Sequence, residues 1–119
     1  NLLAQSVLED PADDRNCFYN ARELFFHNKW AEAIQEFKRH LSLPKAQWKP
    51  ERAASMRYLA KMDESERESW LLKAIAESPN SREPRVDLAQ HYYSKGLWLD
   101  GYANAHAALR IPIWRIPPP

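Results

Sequence analysis

The sequence is poor in the residues that build disulfides, phosphate loops and sheets. It has one cysteine, Cys17, and two glycines, Gly96 and Gly101. One cysteine cannot close an internal disulfide, which points to a reducing, cytoplasmic location. Two glycines cannot make the glycine-rich loop that cradles a nucleotide phosphate. β-Branched residues are scarce, so there is no run of buried strands such as a nucleotide-binding sheet requires. No apolar run approaches the roughly 18 residues of a membrane span. The first residues lack the basic-then-apolar order of a secretory signal, and no N-x-[S/T] glycosylation acceptor occurs. The chain begins with Asn1 rather than Met, which fits a processed chain or a fragment. Charge of one sign is missing too. The 17 basic residues face 16 acidic ones, so no global field draws the protein to nucleic acid or to a membrane surface.

What is present favours helix. Ala, Leu, Glu, Lys and Arg abound. The 5 Trp, 5 Tyr and 4 Phe are enough, in 119 residues, to build the core of one modest domain. Apolar periodicity and punctuation predict seven helices, over 1–10, 15–28, 29–43, 49–62, 64–78, 84–96 and 97–111. Pro11 stops the first, and Asp13 and Asp14 offer N-caps to the second. Pro44 closes the third, Pro50 suits the first turn of the fourth, and Gly96 suits a helix C-terminus. This divides the chain into an N-terminal helix and linker (1–13), a helical-repeat domain (14–111) and a Pro-rich tail (112–119).

The helices pair up, and the pairs repeat. Trp30 and Trp98 stand 68 residues apart, twice 34. Columns at a spacing of 34 run through Leu24, Tyr58 and Tyr92, through Phe37, Leu71 and Ala105, and through His40, Ala74 and Ala108. Another column holds the small residues Ala21, Ser55 and Ala89, where two helices would approach closely. Asn28, Met62 and Gly96 fall at the turn within each pair. A period of 34 with two helices per period is the tetratricopeptide length. Such a pair cannot bury its apolar face alone, so neighbours must stack. The expected fold is therefore all-α, a tetratricopeptide-like right-handed superhelix of about three helix pairs plus an N-terminal helix.

Three strings go further than a repeat class: "FYNARELFFHNKWAEAIQEFKRHL", "ERAASMRYLAKM" and "REPRVDLAQHYYSKGLW". In this order and separation they resemble the helical region that follows the catalytic domain in bacterial and phage glycosyltransferases of the family-2 type. The resemblance runs from about Asp14 to Leu109. It implies a parent enzyme that moves a sugar from a nucleotide sugar to an acceptor. It also implies that this chain is the non-catalytic part, because the Asp-x-Asp metal motif of the catalytic domain is missing. The acids of "DPADD" are Asp10, Asp13 and Asp14, with no strand beside them.

The chemistry-bearing residues agree. His27, His40, His91 and His106 form no H-x-x-x-H or H-x-x-C pattern, so they are read as surface or partly buried residues and no metal is expected. Cys17, near Arg15, is read as a small core residue rather than a reactive thiolate. No nucleophile elbow or Ser-His-Asp order occurs. No catalytic residue and no cofactor is therefore assigned. The first helices of the pairs carry the more informative residues. In the repeat frame one groove would collect Phe18, Arg22, Phe25, Arg52, Met56, Gln90 and Tyr93, and Arg beside aromatic rings can hold a carboxylate, a phosphate or a sugar face. Glu23, Arg57 and Asp87 are read instead as ion-pair partners between repeats. The acidic Glu83 and Asp87 argue against the peptide-clamping subclass of tetratricopeptides, which grips a terminal carboxylate with basic residues. Trp48 and Trp114, in connecting segments, are candidate interface anchors, while Trp70 and Trp98 sit on apolar helix faces and belong to the core. The basic stretch 38–52 around Trp48 could meet a nucleic acid, but a solvated linker explains it more simply. The expected function is a non-catalytic accessory or scaffolding module, with its own catalytic domain, another protein or a second copy as partner. A free-standing protein-interaction adaptor is the alternative.

Overall fold

The computed structural model describes residues 13–112. It contains six helices: α1 (Asp14–Phe26), α2 (Trp30–Ser42), α3 (Lys49–Met62), α4 (Arg67–Glu77), α5 (Glu83–Ser94) and α6 (Trp98–Leu109). No strand occurs among the described residues, so the all-α expectation holds. The expected helix over 1–10 and the anchor Trp114 lie outside them. No helix among them is long and apolar enough to cross a membrane.

Local chemistry sets the ends. Asp13 caps α1, its carboxylate accepting from the Asn16 amide at 3.0 Å. Pro50 and Pro84 occupy the first turns of α3 and α5, where no amide is needed. α4 begins at Arg67, three residues later than the periodicity suggests. Asp63 Oδ1 accepts from Ser65 Oγ at 2.9 Å and from the Glu66 amide at 3.3 Å, and these bonds hold the segment as a turn.

The helices form three successive hairpins, α1–α2, α3–α4 and α5–α6. Contacts are densest within each hairpin, thinner between α2 and α3 and between α4 and α5, and slight between α3 and α5. The turns of the first and third hairpins repeat one another. Asn28 (φ 62°) and Gly96 (φ 76°) both take the left-handed conformation. The Lys29 amide donates to the Leu24 carbonyl and the Leu97 amide to the Tyr92 carbonyl, each at 2.9 Å. This six-to-one bond satisfies a carbonyl that the helix end would otherwise orphan. The middle hairpin uses the Asp63 turn instead.

The core follows the hairpins. Phe18, Ala21, Ala33, Phe37 and Leu59 are buried together, with Phe37 stacked on Tyr58 at 4.9 Å and edge-on to Phe18 at 6.1 Å. Ala53, Met56 and Ala74 continue it, then Ala60, Leu71 and Leu88. Trp70 packs against all three groups and joins the hairpins. The small residues Ala21, Ser55 and Ala89 are all buried, as close helix approach demands. Trp98 corrects its core assignment. It opens α6 at 66 % exposure, with the Tyr93 ring 5.8 Å away.

Candidate functional site

A groove runs between α1 and α3. Phe18, Arg22, Phe25 and Phe26 fall on one stripe of α1, and Ala54, Arg57, Tyr58 and Lys61 on one stripe of α3, each at helical spacing. The two stripes enclose a cavity of about 350 Å³. Its wall is aromatic, with Phe25 packed edge-on to Tyr58 at 5.0 Å. Its charge is all of one sign, because the lining holds three cations and no carboxylate. The Arg22 guanidinium lies 5.8–5.9 Å from the centroids of Phe18, Tyr19 and Phe26, within cation–π range. Its Nε is buried and makes no hydrogen bond. Arg57 points its Nε away to Asp87 Oδ2 of α5, at 2.6 Å. That bridge is the ion pair between repeats that the sequence suggests.

The other sequence candidates lie elsewhere. Arg52 is a structural staple. It donates to Glu77 Oε1 at 2.6 Å and to the carbonyls of Leu41 and Ala46 at 2.9 and 3.1 Å, tying the α2–α3 connection to α4. Met56 is buried with Ala53 and Ala74. Gln90 and Tyr93 line a largely apolar cavity of about 280 Å³ between α5 and α6, and Gln90 also lines a cavity of about 270 Å³ that shares Arg57 and Lys61 with the groove. Trp48 is exposed, with the Arg15 guanidinium 5.8 Å over its ring. The structure thus brings together Phe18, Arg22 and Phe25 but not the rest. The groove's α3 side is Arg57, Tyr58 and Lys61, none of them among the residues expected to line it.

Beneath the groove lies an arrangement that sequence order concealed. Ser55 Oγ is 2.7 Å from His40 Nδ1, and His40 Nε2 is 3.1 Å from Glu51 Oε1. A serine, an imidazole and a carboxylate in series can activate a nucleophile. Here all three are buried, so a substrate cannot reach the hydroxyl and the chain serves as a core polar network. His40 is fully buried rather than a surface or partly buried residue. Burial holds its pKa below the ordinary 6.5, against the hydrogen bond and charge of Glu51, which pull upward. Cys17 is a buried core residue. Burial, then the charge of Glu36, pushes its pKa up to about 12, so it stays a thiol. Burial would raise Glu36, but hydrogen bonds from Arg39 and Asn20 outweigh it and hold its pKa below the ordinary value. No group of three or more His, Cys, Asp or Glu among the described residues is placed to hold a metal ion.

Among the described residues, one apolar helix face has no partner. Leu99, Tyr102 and Leu109 follow one stripe of α6 and are 86 %, 65 % and 72 % exposed. No protein-family model matches the chain, and no curated protein matches it.

Proposed function

We propose that the chain is a non-catalytic helical-repeat module, a tetratricopeptide-like right-handed stack of three helix pairs. In this reading it works as the C-terminal accessory and scaffolding region of a nucleotide-sugar-dependent glycosyltransferase. The observation that carries the scaffolding role is the bare apolar face of α6. Exposed leucines and an aromatic ring on one helical stripe are what a repeat leaves open for the next body to cover. Neighbour-to-neighbour packing of the hairpins supports the repeat reading, and the three quoted strings support the parent enzyme.

The test is to read the coding frame upstream of Asn1. An α/β domain with an Asp-x-Asp motif at a strand end agrees with the accessory role. A start codon within a few residues of Asn1 contradicts it. It would leave the free-standing adaptor, a reading that the α1–α3 groove favours because its aromatic and basic lining can hold a partner's acidic group.

A further inference from the structure

Beyond the scaffolding role, we propose that the α1–α3 groove is a binding site for a small phosphate monoester carried on a planar ring. The groove leaves a buried polar atom unmet. Among the described residues, only two buried side-chain polar atoms lack a hydrogen-bond partner, Arg22 Nε and His91 Nδ1. Native interiors rarely leave such atoms unpaired. Arg22 lines the groove. His91 lines the adjoining cavity of about 270 Å³ between α3 and α5, which shares Arg57 and Lys61 with it. The two unmet groups therefore flank one ridge of α3.

Charge then selects the ligand. Arg22, Arg57 and Lys61 converge on the groove, and Asp87 offsets only Arg57. Arg22 and Lys61 have no carboxylate partner among the described residues. Two uncompensated cations match a dianion, and a phosphate monoester carries a charge of about −1.5 to −2 at neutral pH. The guanidinium offers a planar fork suited to phosphate oxygens. The wall selects what bears the phosphate. Phe26 is exposed, and half-buried Phe25 and Tyr58 stand beside it, so a flat ring can stack there; about 350 Å³ is the scale of a small-molecule site.

The test is calorimetric titration of the whole chain at low salt with four probes: phenyl phosphate, a nucleoside 5′-monophosphate, inorganic phosphate and benzoate. A ring-bearing phosphate should bind at one site, more tightly than either inorganic phosphate or benzoate. Whichever of the two ring-bearing phosphates binds better supports the site and says whether a nucleobase or a simple aryl group fills the wall. Arg22→Gln should weaken binding by about tenfold or more, the loss expected for a hydrogen bond to a charged group. Lys61→Gln, at an exposed position, should weaken it while leaving the melting curve unchanged, so the site stays testable if Arg22→Gln perturbs the fold. Benzoate binding as tightly as phenyl phosphate overturns the dianion, and inorganic phosphate binding as tightly overturns the ring. Failure of every probe to bind, or binding unchanged in both variants, overturns the site.

Discussion

Replacing His40 by alanine tests how the first two hairpins are held together. The imidazole bonds both Glu51 and Ser55 of α3 from its place on α2. His40→Ala leaves the Glu51 carboxylate, 5 % exposed, without its hydrogen bond among the described residues, and leaves the Ser55 hydroxyl facing a void. Leaving a buried group without its hydrogen-bond partner costs about 1–3 kcal/mol, more where that group is charged, and the void left by the ring adds about 2 kcal/mol or more. In a domain of this size each kcal/mol is worth about 3–6 °C, so the melting temperature should fall by at least ~9 °C. Urea denaturation followed by circular dichroism measures the loss. A companion variant, His40→Leu with Glu51→Met and Ser55→Ala, removes all three polar groups at similar volume. It should lie within about 2 kcal/mol of the parent, because a buried network can be replaced whole far more cheaply than it can be broken. A loss below about 1 kcal/mol in His40→Ala refutes the reasoning. So does a triple variant as unstable as the single one.

The same network makes stability depend on pH. The folded pKa of His40 lies below its ordinary 6.5, so the unfolded chain takes up a proton first as pH falls. The contribution is complete above about 6.5 and is lost as pH drops below it towards the folded value. Urea midpoints at pH 7.5 and 5.5 should differ in the parent and converge in the triple variant. Cys17, with its pKa pushed to about 12, should resist thiol reagents in the native state and react at once in strong denaturant; equal rates would contradict its burial. At Gly101 an added Cβ would lie 2.7 Å from Tyr93 Cδ1 and Cε1. Gly101→Val should therefore cost about 1–3 kcal/mol, and Tyr93→Ala in the same chain should recover part of it in a double-mutant cycle.

Much of the fold was legible because local signals agreed with one another. Pro50, Pro44, Asp13 and Gly96 mark helix ends by backbone chemistry that needs no tertiary context. The spacing of 34 placed Asn28, Met62 and Gly96 at equivalent turns; Asn28 and Gly96 do match, whereas Met62 is still helical and the middle turn falls at Asp63. The site was legible only in part, for a geometric reason. A column at spacing 34 collects equivalent positions, but the groove does not form between equivalent positions. One face of α1 meets a different face of α3, so Arg22 meets Arg57, Tyr58 and Lys61 rather than Met56, its counterpart 34 residues on. Met56 turns to Ala74 instead. The His40–Glu51–Ser55 network was hidden similarly. Its members sit 11 and 15 residues apart across a connection that periodicity does not describe. The exposure of Trp98 was misread because an apolar stripe looks the same whether or not a further element covers it.

The three hairpins are held together by contacts that pass from each to the next. The most direct test is to remove the third hairpin by ending the chain at Ser78 and to record helicity and melting. Residues 1–78 keep the Phe18–Phe37–Leu59 cluster, the His40 network and Trp70, and lose the Leu88 side of the last cluster, the Arg57–Asp87 bridge and the Tyr92–Glu68 bond. A stack of neighbours predicts a helical, cooperatively melting fragment of reduced stability. An unfolded fragment at low temperature would mean that the three hairpins share one indivisible core, and would contradict the account.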